Sequence, residues 1–214
     1  MSTRLRSQLL LFPIALAVWC LPTAGDAQTS RLDSLKQLTT HKTDTIRIDA
    51  LIALGRELRK KDPDQALVVQ AQAKEQAIAT GHPDRQAKAL NDMGISYGMK
   101  EDYASSMEQF KQSLRLHSEH GNQMGVADGN NNLAIVYKHI GDYPKSLDAH
   151  LKALEIYDAL GDRSGRATSL LNIGVAYDLM KEPQKALEYF EQALKIKEEV
   201  NDEPGKALAL HNIA

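Results

Sequence analysis

Between Asn131 and Tyr143 the chain reads NNLAIVYKHIGDY, and forty residues further on, from Leu171 to Pro183, it reads LNIGVAYDLMKEP. The echo belongs to a frame that runs through most of the sequence. Gly94, Ala134, Gly174 and Ala214 stand forty residues apart, as do Tyr97, Tyr137 and Tyr177. Gly81, Gly121, Gly161 and Asn201 keep that interval, and so do Ala87, Ala127, Ala167 and Ala207, and Leu114, Leu154 and Leu194. No other feature restricts the fold as much. A unit this short cannot bury its own apolar face, so successive units must stack, each against its neighbours.

Within one unit, Asp162 to Asn201, the pattern is helical. Asp162 offers a carboxylate to the free N–H groups at the start of a first helix. Leu170, Ile173, Gly174 and Tyr177 then make one apolar face at i, i+3, i+4 and i+7. The KEP segment breaks this helix, because Pro183 can begin a helix but not continue one. Ala186, Leu187, Phe190, Ala193, Leu194 and Ile196 mark the second helix. Asn201 closes it where earlier units use glycine, in the left-handed conformation that Gly and Asn adopt most readily. Gly94, Ala134 and Gly174 fall mid-helix, where Gly costs about 1 kcal/mol relative to Ala, so they predict the close passage of another helix. Ala66, Ser106, Ser146 and Ala186 are the matching small residues on the second helix. The expected fold class is therefore all-α, with antiparallel helix pairs stacked into a solenoid.

The pattern N-[ILM]-[GA]-x-x-Y, the Gly141-Asp142-Tyr143 turn and the Lys185-Ala186-Leu187 start resemble the tetratricopeptide repeat (TPR). The usual unit of that family is about 34 residues. The longer unit here is similar to those of kinesin light chains, mitotic-spindle adaptors and exported bacterial sensor proteins. The resemblance covers residues 45–214 and implies a right-handed superhelix of helix pairs. On this frame residues 28–42 form a cap helix with Leu32, Leu35 and Leu38, and 43–81 an atypical first repeat. Residues 82–121, 122–161 and 162–201 are regular repeats, and 202–214 begin a fifth. In the first repeat the leading helix is one residue out of phase and Leu58 replaces the tyrosine. The array is expected to be open at its C-terminal end, exposing Phe190 and Leu194, as in a piece of a longer protein.

If the Gly/Ala and Tyr positions pack inside each pair, residues at other angles line the concave surface. That stripe runs Lys88, Asp92, Ile95, Met99 in the second repeat, with Asn91 beside it. It continues as Asp128, Asn132, Ile135, His139 beside Asn131, then Thr168, Asn172, Val175, Leu179 beside Leu171, and ends with Leu208, His211 and Asn212. One column thus reads Asp92, Asn132, Asn172, Asn212. Amides both donate and accept, so such a ladder can bond an extended peptide backbone without reading its side chains. Asparagines at these positions grip peptides in similar TPR arrays, which implies a peptide-binding role for Asn91, Asp92, Ile95, Asn131, Asn132, Ile135, His139, Asn172, Val175 and Asn212. The competing reading is an asparagine that bonds a neighbouring helix's backbone or merely faces water. The two-carboxylate clamp of chaperone-binding relatives is not expected, because Ile95, Ile135 and Val175 stand where it needs Asn.

The N-terminus is a different text. Arg4 and Arg6 precede the uncharged run Leu9–Leu21, and Gly25 and Ala27 are the small residues ahead of a cut expected between Ala27 and Gln28. That run is 13 residues, short of the roughly 18–20 that span a bilayer. Residues 1–27 therefore read as a secretory signal peptide, with an uncleaved anchor as the alternative, and the protein as exported. Cys20, the one cysteine, lies inside it, so the mature protein would have no disulfides.

A formal net charge of −2 and the absence of basic runs beyond Arg59-Lys60-Lys61 argue against a nucleic-acid partner. His117 and His120 lack cysteine or carboxylate partners at ligand spacing, and His150 occupies the slot of Phe110 and Phe190, so neither metal nor cofactor is expected. No nucleophile elbow or phosphate-binding loop occurs. The expected function is binding of a protein or peptide by a non-enzymatic scaffold. An exported array of this kind can also be the sensor region of a membrane-bound enzyme or regulator, with its output domain and membrane span beyond Ala214.

Overall fold

The computed structural model describes residues 24–41 and 43–214. The signal-peptide reading falls mainly on residues 1–23, outside that range, and the expected cut after Ala27 lies within the first helix, α1 (Ala24–Leu38). Nine more helices follow among the described residues: α2 (Asp44–Leu58), α3 (Pro63–Ala79), α4 (Pro83–Met99), α5 (Tyr103–Glu119), α6 (Gln123–His139), α7 (Tyr143–Leu160), α8 (Arg163–Leu179), α9 (Pro183–Glu199) and α10 (Glu203–Ile213). Each packs on the next along the chain. α2 also touches α4, and α4 touches α6, so the first helices of successive pairs form one layer of a solenoid. No described helix is long and apolar enough to cross a membrane.

The helix ends follow from side-chain chemistry. Asp62, Asp102, Asn122, Asp142, Asp162 and Asp202 each accept a backbone N–H from the first turn of the helix they precede. These bonds satisfy donors that the helix leaves free. After the second helices the chain reverses through Gly81, Gly121, Gly161 and Asn201, all left-handed with φ between 55° and 70°. The turns after the first helices are left-handed too, at Glu101, Gly141 and Lys181, although only one of the three is glycine.

The mid-helix glycines are explained by an aromatic ring and not by a neighbouring backbone. A Cβ on Gly94 would lie 2.6 Å from Cε1 of Phe110, and one on Gly174 2.5 Å from Cε1 of Phe190. Ser106 contributes differently from expectation: its hydroxyl donates to the Gly94 carbonyl at 2.7 Å. In the third repeat the same pair of positions holds Ala134 and His150, both buried, so the smaller ring is matched with the added methyl group. In the first repeat it is Gly55 and Gln70, at 2.6 Å. Gly55 lies 39 residues before Gly94, so the leading helix is one residue out of phase, as the sequence suggests.

A second glycine register went unread in the sequence. Gly125, Gly165 and Gly205 open α6, α8 and α10, and a Cβ on each would collide with His117, Tyr157 and Lys197 respectively. Those three side chains, forty residues apart, fold over the start of the next repeat and tie it down. Tyr157 donates its hydroxyl to Asp128 at 2.6 Å, and Lys197 pairs with Asp202 at 2.8 Å. Burial and the Asp128 contact push the Tyr157 phenol up.

One expectation fails at the end of the array. Phe190 is 4% exposed and Leu194 is half-buried: the Phe190 ring packs on Gly174 of its own helix pair and shares a core cluster with Ala209 of α10. The exposed apolar surface falls on α10, where Leu210 is 47% exposed while its counterpart Leu170 is 2% exposed.

Candidate peptide-binding groove

The first-helix layer carries the predicted stripe. Five of its residues, Ile95, Met99, Asn132, Ile135 and His139, come together around one open groove of about 420 Å³ between α4, α5 and α6. Its other walls include Tyr103 and the floor residue Phe110. Met99 is half exposed, and the His139 ring stacks on Tyr103 at 5.6 Å between centroids. The groove is therefore mostly apolar, with aromatic edges, the Asn132 amide, the Ser106 hydroxyl and the exposed Glu101 carboxylate. Tyr103 was not singled out from the sequence. It opens α5, and only the turn at Glu101 swings it against α6.

The asparagines pair between repeats. Asn132 donates its Nδ2–H to Oδ1 of Asn91 at 2.8 Å, and Asn172 donates likewise to Asn131 at 3.3 Å. All four stay half-buried at the surface. Each pair uses one oxygen and one N–H, leaving the other amide groups of both residues for a ligand. The amides thus bond side chains of the neighbouring first helix, not its backbone, and keep their other groups at the surface. The ladder stops after Asn172. Leu171, buried, stands where Asn212 would need a partner amide, and Asn212 is half-buried on α10. Val175 is half-buried and packs on the α8–α9 core beside Tyr177 and Leu194.

Asp92 departs from its expected role as a groove contact. It is 2% exposed, and its carboxylate receives Nε of Arg56 at 2.6 Å and Nη1 of Arg59 at 3.3 Å. Burial raises its carboxyl pKa and the two guanidiniums oppose that rise. A carboxylate so enclosed fastens α4 to α2. The residue 41 before Asp92, where later repeats offer an amide, is Leu51, and the two arginines reach Asp92 from positions 36 and 33 residues before it.

The histidines are occupied structurally. His150 is 1% exposed, and burial, aided by Lys138, pulls its imidazole down to about 4. His117 is buried over Gly125, with Nδ1 beside the amide of Asn122 at 3.1 Å, and its pKa is lowered by burial. His120 bonds the Leu116 carbonyl at 2.9 Å. Among the described residues no group of three His, Cys, Asp or Glu side chains is placed to hold a metal.

Helix pairs stacked in this order, with a groove on the layer of first helices, define a helical-repeat solenoid. Residues 125–199 match the model of the tetratricopeptide repeat (TPR) family. The crystal structure of BtubC (BKLC) from P. vanneervenii superposes with a TM-score of 0.74 at 19% identity, over 87% of this chain and 79% of that one. A signal-transduction ATPase with a tetratricopeptide repeat sensor, from Pyrococcus horikoshii, gives 0.77 at 16% identity, over 87% of this chain and 29% of that one. The TPR-like repeats of a putative kinesin light chain from Podospora anserina give 0.66 at 14% identity, over 81% and 86%. At these identities the likeness is one of fold. No curated protein matches the chain in sequence.

Proposed function

We propose that this array is a protein-interaction scaffold that holds an extended peptide segment of a partner protein along its concave face. The observation that carries the reading is the groove of about 420 Å³, where apolar walls from three helices adjoin the Asn91–Asn132 amide pair. Apolar walls give affinity to side chains, and the free halves of the paired amides bond backbone, the combination an extended peptide needs. Arg4, Arg6 and the Leu9–Leu21 run support export, with action outside the cytoplasm as part of a larger signalling protein. The similarity to the repeat sensor of the Pyrococcus ATPase supports the second reading, a sensor region joined to an output domain. Neither reading assigns a catalytic step to these residues.

The test is a peptide selected from a random display library on the full chain. Alanine at Asn131, Asn132 and Asn172 together should leave the helical circular dichroism unchanged and weaken that peptide's binding. Collapse of the helical signal would make the amides structural and sink their proposed role. Export is tested by expressing the chain in a bacterium and weighing the protein recovered from the periplasm. A mature N-terminus at Gln28 supports it, and retention in the cytoplasm contradicts it.

A further inference from the structure

Beside the apolar groove, across the Asn91–Asn132 pair, lies a second cavity of about 200 Å³ with a different lining: Arg56, Lys88, Asn91, His117, Asn122 and Asp128. Its hydrogen-bonding groups can be accounted for one by one. Among the described residues Arg56 is held by Asp92 through Nε alone, and both terminal nitrogens are unpartnered. The Lys88 side chain is exposed and has no partner among the described residues. Asn91 has its oxygen engaged by Asn132, which leaves its NH₂. Asn122 uses its oxygen for the Gly125 N–H, so its Nδ2 faces His117 Nδ1. That nitrogen must accept, and the imidazole proton then sits on Nε2. Asp128, the one carboxylate of the lining, receives the Tyr157 hydroxyl. Of the remaining groups, those of Arg56, Lys88, Asn91 and His117 are donors, and the second oxygen of Asp128 is an acceptor. Arg56, Arg59 and Lys88 together outweigh Asp92 and Asp128 by one charge.

We infer that this cavity is a carboxylate subsite, which receives an acidic group of the peptide whose apolar side chain fills the neighbouring groove. The inference rests on the peptide-binding reading above and narrows it to a bipartite ligand, apolar at one point and acidic at another. A carboxylate accepts through both oxygens, matching convergent donors from α2, α4 and α5. It is a single-carboxylate site, and it uses Arg56 of the atypical first repeat and His117 of a second helix.

The experiment is nuclear magnetic resonance of the ¹⁵N-labelled full chain, titrated with sodium acetate, with sodium chloride at equal ionic strength, and with uncharged acetamide. Acetate alone should shift the Asn91 side-chain amide and the Gly125 backbone N–H saturably. Lys88→Met, which breaks no ion pair, should weaken that binding roughly fivefold. Shifts no larger with acetate than with chloride, or unchanged affinity in Lys88→Met, would overturn the subsite.

The selected peptide supplies the second arm. Replacing its acidic side chain by the amide, or amidating its C-terminus, shows which carboxylate is used. The sensitive change should weaken binding to the unmodified chain but not to Lys88→Met. A peptide that binds the groove indifferently to both changes and to Lys88→Met overturns the subsite while leaving the groove standing. Acetate binding at Asn91 without any selectable peptide supports the subsite and rejects the groove.

Discussion

Gly94→Ala is the substitution that most sharply tests how the repeats are held together. In an isolated helix it should stabilise by about 1 kcal/mol. Here the new Cβ would stand 2.6, 2.7 and 2.9 Å from three ring atoms of Phe110, a ring buried in the core. Overpacking of this kind costs about 1–3 kcal/mol, and three contacts under 3 Å with a buried ring belong at the upper end. The net expectation is destabilisation by roughly 2 kcal/mol. The third repeat shows the remedy, since Ala134 is accommodated there by His150. Gly94→Ala with Phe110→His should therefore be more stable than the sum of the two single changes implies, by about 1–2 kcal/mol. Urea unfolding followed by circular dichroism measures all four corners of the cycle. Additivity within about 0.5 kcal/mol, or a stabilising Gly94→Ala, would refute the size-matching argument.

Other consequences can be measured on the same scale. Lys181 is left-handed with φ of 64°, so Lys181→Gly should stabilise by about 1 kcal/mol in urea unfolding. His150 is neutral when folded, with its imidazole lowered from 6.5 to about 4, while the unfolded chain takes up the proton near 6.5. Its contribution is fully present above pH 6.5 and is lost as pH falls from there toward 4, by roughly 3 kcal/mol in all. The buried His117 acts in the same direction. Melting temperatures between pH 7 and 4 should therefore fall steeply, and less so in His150→Phe paired with Ala134→Gly. Asp92→Asn leaves Arg59 without its counter-charge and should cost at least about 2 kcal/mol in the same unfolding assay.

Much of the architecture was legible because it is written at a fixed interval. The cap residues, the left-handed Gly81, Gly121, Gly161 and Asn201, and the helix breaks at proline are local chemistry, which a sequence displays directly. What the small residues face is not local. Gly94 signalled a close approach, but the ring that approaches belongs to Phe110, sixteen residues away on the partner helix. Gly125, Gly165 and Gly205 keep the same interval, yet their partners are His117, Tyr157 and Lys197, whose chemical dissimilarity hides their common position. The stripe Ile95, Asn132, Ile135 and His139 was recoverable from helical spacing alone. Asp92 was not, since its burial depends on Arg56 and Arg59 of the preceding repeat, at a spacing that the repeat does not display. The donor cavity around Lys88 draws on four helices, and no spacing rule connects them.

The central claim is that the α4–α6 groove binds peptide, and Met99 gives the most direct test because it is half exposed and lines that groove. The measurement is the affinity of a selected peptide, by calorimetry, for the unmodified chain, for Met99→Asp, and for Val68→Asp on an exposed α3 position outside the groove. Burying a methionine-sized contact is worth about 1.5–3 kcal/mol, so Met99→Asp should weaken binding by roughly tenfold or more, with Val68→Asp unchanged. Equal affinities for all three would place the peptide elsewhere and contradict the account.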